Sequence, residues 1–399
     1  MTSRERILKA INHQETDRIP RDLGGTESSG MTAYALHNLQ DYLGIHSYPK
    51  IFEPYQFVGY IENEIRERFK IDTVNLTLGP KKWVERETPW GFKVLLPEKW
   101  NEETDPDGAT VVRDANGTII ARRPPGGFYF DPVNPPLQNV MDVSEIVNYK
   151  DVIYSFDLPS FVDETDDDIR NRARSLHEDG SCVVLNLCCH ILAAGQLLRG
   201  YENFMVDLLT DEKMVRKLLD LLIEGYLRRV DWLGPLLKDK VDVVLLNDDL
   251  GTQNGPMLSP DTYRKMIKPY QKELFGYIKK VFEKPILFHS CGAVREFIPD
   301  LIEIGVDALN PVQLSANGMQ LEDLKRDFGK DITFWGGGVD TQSVLNRETP
   351  DKVKDSVKRN VDILAAGGAF VFCQVHNIQP DVPPENVIAM YEALDEIGC

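Results

Sequence analysis

Residues 241–248, Val-Asp-Val-Val-Leu-Leu-Asn-Asp, and residues 285–290, Pro-Ile-Leu-Phe-His-Ser, carry the key to the fold. Each is a short, branched, mostly apolar run without polar alternation, the pattern of a parallel strand covered on both faces. Six further runs of the same kind lie outward from them, at 18–24, 72–77, 182–189, 307–311, 332–336 and 369–375. Helix signals separate them. Ser259-Pro260 supplies an N-cap and a proline at the first helical position. Tyr263, Met266, Ile267, Tyr270, Leu274 and Phe275 then recur at helical spacing, with Pro269 predicting a kink. Thr349-Pro350 opens another helix, with Val353, Val357 and Leu364 on one face and Gly367-Gly368 at its end. Eight strand–helix units point to an α/β fold, a (β/α)8 TIM barrel in one domain over 1–399; an open doubly wound sheet is the alternative.

One stretch breaks the alternation. Between about 80 and 149 the period becomes two residues, and Asp114-Ala115-Asn116-Gly117 separates the runs 110–112 and 118–121. Asn-Gly in that place is a hairpin signal. The region reads as a β-rich insertion after the second strand, lying over the barrel mouth or serving as an oligomer contact.

Composition narrows the function classes. Against 45 Lys and Arg stand 63 Asp and Glu, a formal net charge of −18, which opposes binding to a phosphate backbone. No apolar run is long enough to span a bilayer, and residues 1–12 read as a charged amphipathic helix instead of a secretory leader, so a cytoplasmic protein is expected. Six cysteines in such a chain are expected to be reduced thiols.

His289-Ser290-Cys291 ends the fifth run and Cys373 lies in the eighth. In a barrel both places fall at the C-terminal face, where active sites are built. One imidazole and two thiolates suit Zn²⁺, and three protein ligands leave a fourth position open, as in catalytic zinc sites. Two plainer readings stand beside this: an ordinary strand end, and Cys373 as a small buried hydrophobe. Cys188-Cys189-His190 is a rival cluster, although adjacent cysteines on a strand face opposite ways. Cys182, Cys188, Cys189 and Cys399 are read as structural. Asp248, Asp249, Gln253, Asn254 and His376 are candidates for substrate contact. Asp248 or Asp249 is alternatively a turn cap, and His376 a partner orienting a ligand or a core histidine. Asn186 and Gln313 are weaker polar candidates, and Gly336-Gly337-Gly338 either cradles a phosphate or permits a tight turn.

The stretches 3–10, 17–20, Asp248-Asp249-Leu250-Gly251-Thr252-Gln253, His289-Ser290-Cys291-Gly292 and His376-Asn377-Ile378-Gln379 resemble the uroporphyrinogen decarboxylase superfamily over nearly the whole chain. The resemblance implies a (β/α)8 barrel and one of two chemistries. Metal-free decarboxylases of the superfamily carry an Arg-rich motif after the first strand, where this chain has Arg21-Asp22-Leu23-Gly24-Gly25-Thr26. The other branch, which includes methylcobamide:coenzyme M methyltransferases, holds zinc with His-x-Cys and a late Cys. His289, Cys291 and Cys373 match that pattern. The resemblance therefore implies a zinc-dependent methyltransferase moving a methyl group between a small methyl ether or thiol and the cobalt of a corrinoid (cobalamin) protein. The chain lacks an Asp-x-His-x-x-Gly corrinoid motif, so that partner is expected to be a separate protein. A metal-free decarboxylase-like lyase is the alternative, and a homodimer is expected from relatives.

Overall fold

The computed structural model describes residues 1–114 and 116–398. Ala115 in the expected hairpin turn and Cys399 lie outside the described residues. Seven parallel strands form a curled, TIM-barrel-like sheet in chain order: Thr73–Leu76, Cys182–Asn186, Val243–Asn247, Ile286–His289, Ala308–Asn310, Thr333–Trp335 and Phe370–Val371. Each falls inside one of the apolar runs. The eighth run contributes less than a strand. Around Pro20–Asp22 the chain forms a single parallel bridge, Arg21 to Phe372. Its hydrogen bonds nonetheless reach both sheet edges: Asp22 N–H to Phe372 O (2.8 Å) on one side and Asp72 N–H to Arg21 O (2.8 Å) on the other. Pro20 has no N–H to extend the ladder, and Gly24 turns away at a φ of 76°.

Side chains alternate between two cores. Val183, Leu185, Ile286, Phe288 and Phe372 face the surrounding helices. Cys182, Val184, Val243, Leu245, Leu287, Ala308, Trp335, Val371 and Cys373 fill the interior with Ile7, Ala10 and Ile11 of the helix Ser3–Ile11. This two-residue period is what places His289, two beyond Leu287, on the inner wall.

The stretch around Pro269 forms two helices, Pro260–Met266 and Lys268–Phe282, parted at Ile267, with Ser259 capping the first. The stretch 83–132 is antiparallel: Trp83–Glu87 pairs with Lys93–Pro97, and a second sheet runs in the order Asp131–Pro132, Ile119–Arg123, Thr110–Arg113, Glu102–Thr104. Asp114 N–H donates to Thr118 O across the Asn-Gly turn (2.9 Å). Among the described residues no helix is long and apolar enough to cross a membrane.

Candidate metal centre

His289 ends its strand, and the chain then turns sharply so that Cys291 folds back toward the same ring. Two glycines make the turn possible. A Cβ on Gly292, whose φ is 88°, would lie 2.5 Å from the backbone of Gly251, and one on Gly251 would lie 2.7 Å from Cys291 O. Two backbones thus touch where any side chain would hold them apart. Asp249 Oδ1 accepts from Cys291 N–H (2.8 Å), Ser290 Oγ accepts from Leu250 N–H (2.9 Å) and Gln313 Oε1 accepts from Gly292 N–H (2.7 Å).

The donor atoms of His289, Cys291 and His376 all lie within 4.8 Å of one another, and each residue is half-buried. Cys291 Sγ sits 3.4 Å from His289 Nε2. The rings of His289 and His376 stand 6.2 Å apart at 65°. Both imidazoles are oriented from behind. Asn310 Nδ2 donates to Trp335 O (2.9 Å), which fixes its amide and turns Oδ1 toward His289 Nδ1 (2.8 Å) and Ser28 Oγ (2.8 Å). Asn377 Oδ1 likewise meets His376 Nδ1 (2.7 Å). An acceptor at Nδ1 places the ring proton there and leaves each Nε2 lone pair toward the centre, the arrangement behind metal-bound histidines. Burial, with the neighbouring His289, lowers the pKa of His376, so its ring is neutral. Burial, followed by the Asp249 carboxylate, pushes the Cys291 thiol well up, so binding of a cation there releases a proton. Two imidazoles and one thiol are a donor set that fits zinc.

This group differs from the set read in the sequence. His289 and Cys291 come together as expected, but the third member is His376, not Cys373. Cys373 is fully buried among interior apolar side chains, its Sγ 3.7 Å from Asn310 Nδ2. It therefore lies behind the Nδ1 edge of His289, across the Asn310 amide, whereas Cys291 and His376 gather at the Nε2 edge.

The remaining candidates scatter. Asp248 is buried and faces away, accepting from the N–H groups of Ile191, Leu192 and Ala193 at 2.8–3.1 Å and from Gln271 (3.0 Å). It caps the start of the helix Leu192–Arg199. Asp249 does reach the centre, with Oδ1 3.7 Å from His289 Nε2. Gln253 accepts from Gln313 (2.9 Å), and Asn254 O accepts from Asn317 (3.3 Å), so both tie two exposed loops together. Asn186 donates to Glu27 (2.7 Å). Gly336–Gly338 serve packing: a Cβ on Gly338 would strike the Phe372 ring at 2.3 Å. Asn310 and Asn377, which orient the two histidines, were missed; only their place beside a strand end and beside His376 could have drawn notice.

Beside His376 lies an open pocket of about 330 Å³. The antiparallel region reaches it: Tyr129 O–H donates to Gln379 Oε1.

The uroporphyrinogen decarboxylase (URO-D) family model matches residues 180–397, and the chain belongs to that family. Uroporphyrinogen decarboxylase of Legionella pneumophila (strain Corby) is 27% identical over 218 residues, 53% of this chain and 56% of that protein. Methylcobamide:CoM methyltransferase MtaA of Methanosarcina barkeri is 21% identical over 199 residues, 50% of this chain and 54% of that protein. The chain thus spans about half the length of the curated relatives it matches. A solved structure of a methyltransferase from Methanosarcina mazei superposes over 100% of both chains with a TM-score of 0.62 at 16% identity, a likeness of fold.

Proposed function

We propose that this chain is a zinc-dependent methyltransferase that moves a methyl group between a small methylated compound and the cobalt of a separate corrinoid protein. One observation carries the reading: the donor atoms of His289, Cys291 and His376 lie within 4.8 Å of one another, with an amide oxygen at Nδ1 of both rings. Kinship with MtaA and the fold shared with the Methanosarcina mazei methyltransferase support it. His289 and His376 bind through Nε2 while Asn310 and Asn377 hold their Nδ1 protons. Cys291 binds as thiolate, and Asp249 steadies its backbone. Zinc in this set keeps a formal charge of about +1 and supplies Lewis acidity toward the oxygen or sulfur that carries, or receives, the methyl group.

The decarboxylase reading has the Legionella pneumophila enzyme in its favour. Against it stands the segment 21–26, whose single arginine is buried and turned outward: Arg21 donates to Phe69 O (3.0 Å) and pairs with Asp395 (2.7 Å). No cation of that segment is left to clamp a poly-carboxylate. We further read 18–24 as the eighth member of a closed (β/α)8 ring, with 80–149 an insertion in a single domain over 1–399.

The test combines metal analysis with absorbance. About one zinc per chain is expected, together with a change in the cobalt spectrum of added cob(I)alamin or methylcobalamin in the presence of a methyl ether or a thiol. A zinc-loaded protein inert toward every such compound would refute the methyltransferase.

A further inference from the structure

A second cavity, of about 270 Å³, shares no lining residue with the metal centre or with the pocket beside His376. It opens where residues 23–24 leave the sheet beside the strand Thr73–Leu76. The helices Asn63–Phe69 and Asp166–Glu178 contribute its other side. Leu23, Ile61, Val74 and Leu176 give it apolar surface, and Tyr60 and Trp83 add two aromatic rings.

Four charged side chains line the cavity, and three of them are answered. Arg172 meets Glu164 at two points, Nε to Oε1 (2.8 Å) and Nη2 to Oε2 (2.7 Å), and Gly79 N–H donates to the same carboxylate (2.9 Å). Arg66 pairs with Asp179 (3.0 Å). Lys50 is the exception. Among the described residues its Nζ makes no hydrogen bond or ion pair and rests instead on two rings, 4.6 Å from the centroid of Trp83 and 5.9 Å from that of Tyr60. Ring faces attract an ammonium and fix its place, but they leave its three N–H donors without a protein oxygen. The pKa of Lys50 is lowered, first by burial and then by the Arg172 guanidinium, with Glu164 opposing more weakly. The field at Nζ therefore stays positive even beside that carboxylate.

An anion placed there gains a charge-assisted hydrogen bond and relieves the repulsion between two cations. One unanswered charge calls for a single negative charge, and the apolar and aromatic surface calls for a compact apolar body. The volume lies at the small end of ligand sites, which suits a molecule of one ring. We propose that this cavity binds a small monocarboxylate with an apolar body, of the class of an aryl acid, whose carboxylate pairs with Lys50.

Calorimetric titration of the full chain in low-salt buffer at pH 7, with benzoate and with its uncharged counterpart benzamide, tests the site. Benzoate is expected to bind once per chain, at least about tenfold more tightly than benzamide. His376→Ala should leave that preference intact, because the metal centre takes no part in it. Lys50→Gln should bring the two probes within about twofold of each other, whereas Lys50→Arg, which keeps the charge, should retain most of the preference. Because Lys50 lies over the indole, benzoate should also shift tryptophan emission, and Trp83→Phe should abolish the shift. Equal affinity for the two probes overturns the proposal, as does the absence of saturable benzoate binding. A preference that survives Lys50→Gln, or that disappears in His376→Ala, overturns it too. Should Lys50→Gln fail to fold, the emission decides: a shift that persists in Trp83→Phe puts benzoate elsewhere.

Discussion

Cys188-Cys189-His190 and His289-Ser290-Cys291 each bring a histidine and cysteine to the C-terminal end of a parallel strand, yet only the second stretch leaves donors open to a metal. His190 Nδ1 lies 2.9 Å from Asp157 Oδ2, which also accepts from Tyr226 O–H (2.7 Å). Burial disfavours the charged ring there, but the Asp157 carboxylate outweighs it and the pKa is pushed up to about 9. An imidazolium has no lone pair to give. Cys189 Sγ donates to Leu187 O (3.3 Å), and burial pushes its thiol up to about 12. At His289 and His376 the partner is an uncharged amide, which fixes the tautomer without protonating the ring. What stands behind a histidine, carboxylate or amide, decides whether it becomes a cation or a ligand.

That contrast can be broken most forcefully at the ligands themselves. His376→Ala is expected to reduce bound zinc from about one equivalent per chain to none detectable by mass spectrometry of the metal. Stoichiometric zinc in this variant would return the third place to another residue.

A smaller effect is expected at the rival cluster. Because the folded pKa of His190 lies above its ordinary value of 6.5, the pair with Asp157 stabilises fully below about pH 6.5. That stabilisation is lost as pH rises through about 9. Thermal melts should therefore show the native protein losing stability between pH 6.5 and 9.5 more steeply than Asp157→Asn. Zinc content should be the same in both. Parallel pH profiles would mean that His190 is neutral and available after all.

The smallest expected effect is at Cys373. Cys373→Ala should keep its zinc and cost about 1–2 kcal/mol of stability, the consequence of a small interior void. Zinc loss in this variant, measured beside His376→Ala, would reinstate the set His289, Cys291 and Cys373.

Much of the frame was legible in residue order alone. The run 285–290 announces a doubly covered strand, and Leu287 and His289 share its inner face by simple alternation. The hairpin at Asn116-Gly117 follows from backbone preferences that need no distant partner. Sequence also put Cys373 and His376 at the same barrel end, and the His-x-Cys pattern took Cys373 as the third zinc ligand and His376 as a substrate contact. Cys373 faces inward as alternation requires, yet it belongs to a deeper interior layer beneath Asn310, while His376 follows the strand end and rises to the rim. Asp248 and Asp249 show the same limit. Adjacent in sequence, one side chain caps the neighbouring helix and the other holds Cys291 N–H.

The sequence by itself determined the α/β barrel-like frame, the β-rich region in the N-terminal part and the pairing of His289 with Cys291, because strand periodicity and a two-residue separation are local properties. Only the tertiary structure brought His376 beside them and set an amide oxygen at Nδ1 of both histidines. Those depend on Asn310 and Asn377, residues brought from two distant segments, and on which edge of an imidazole ring each neighbour occupies.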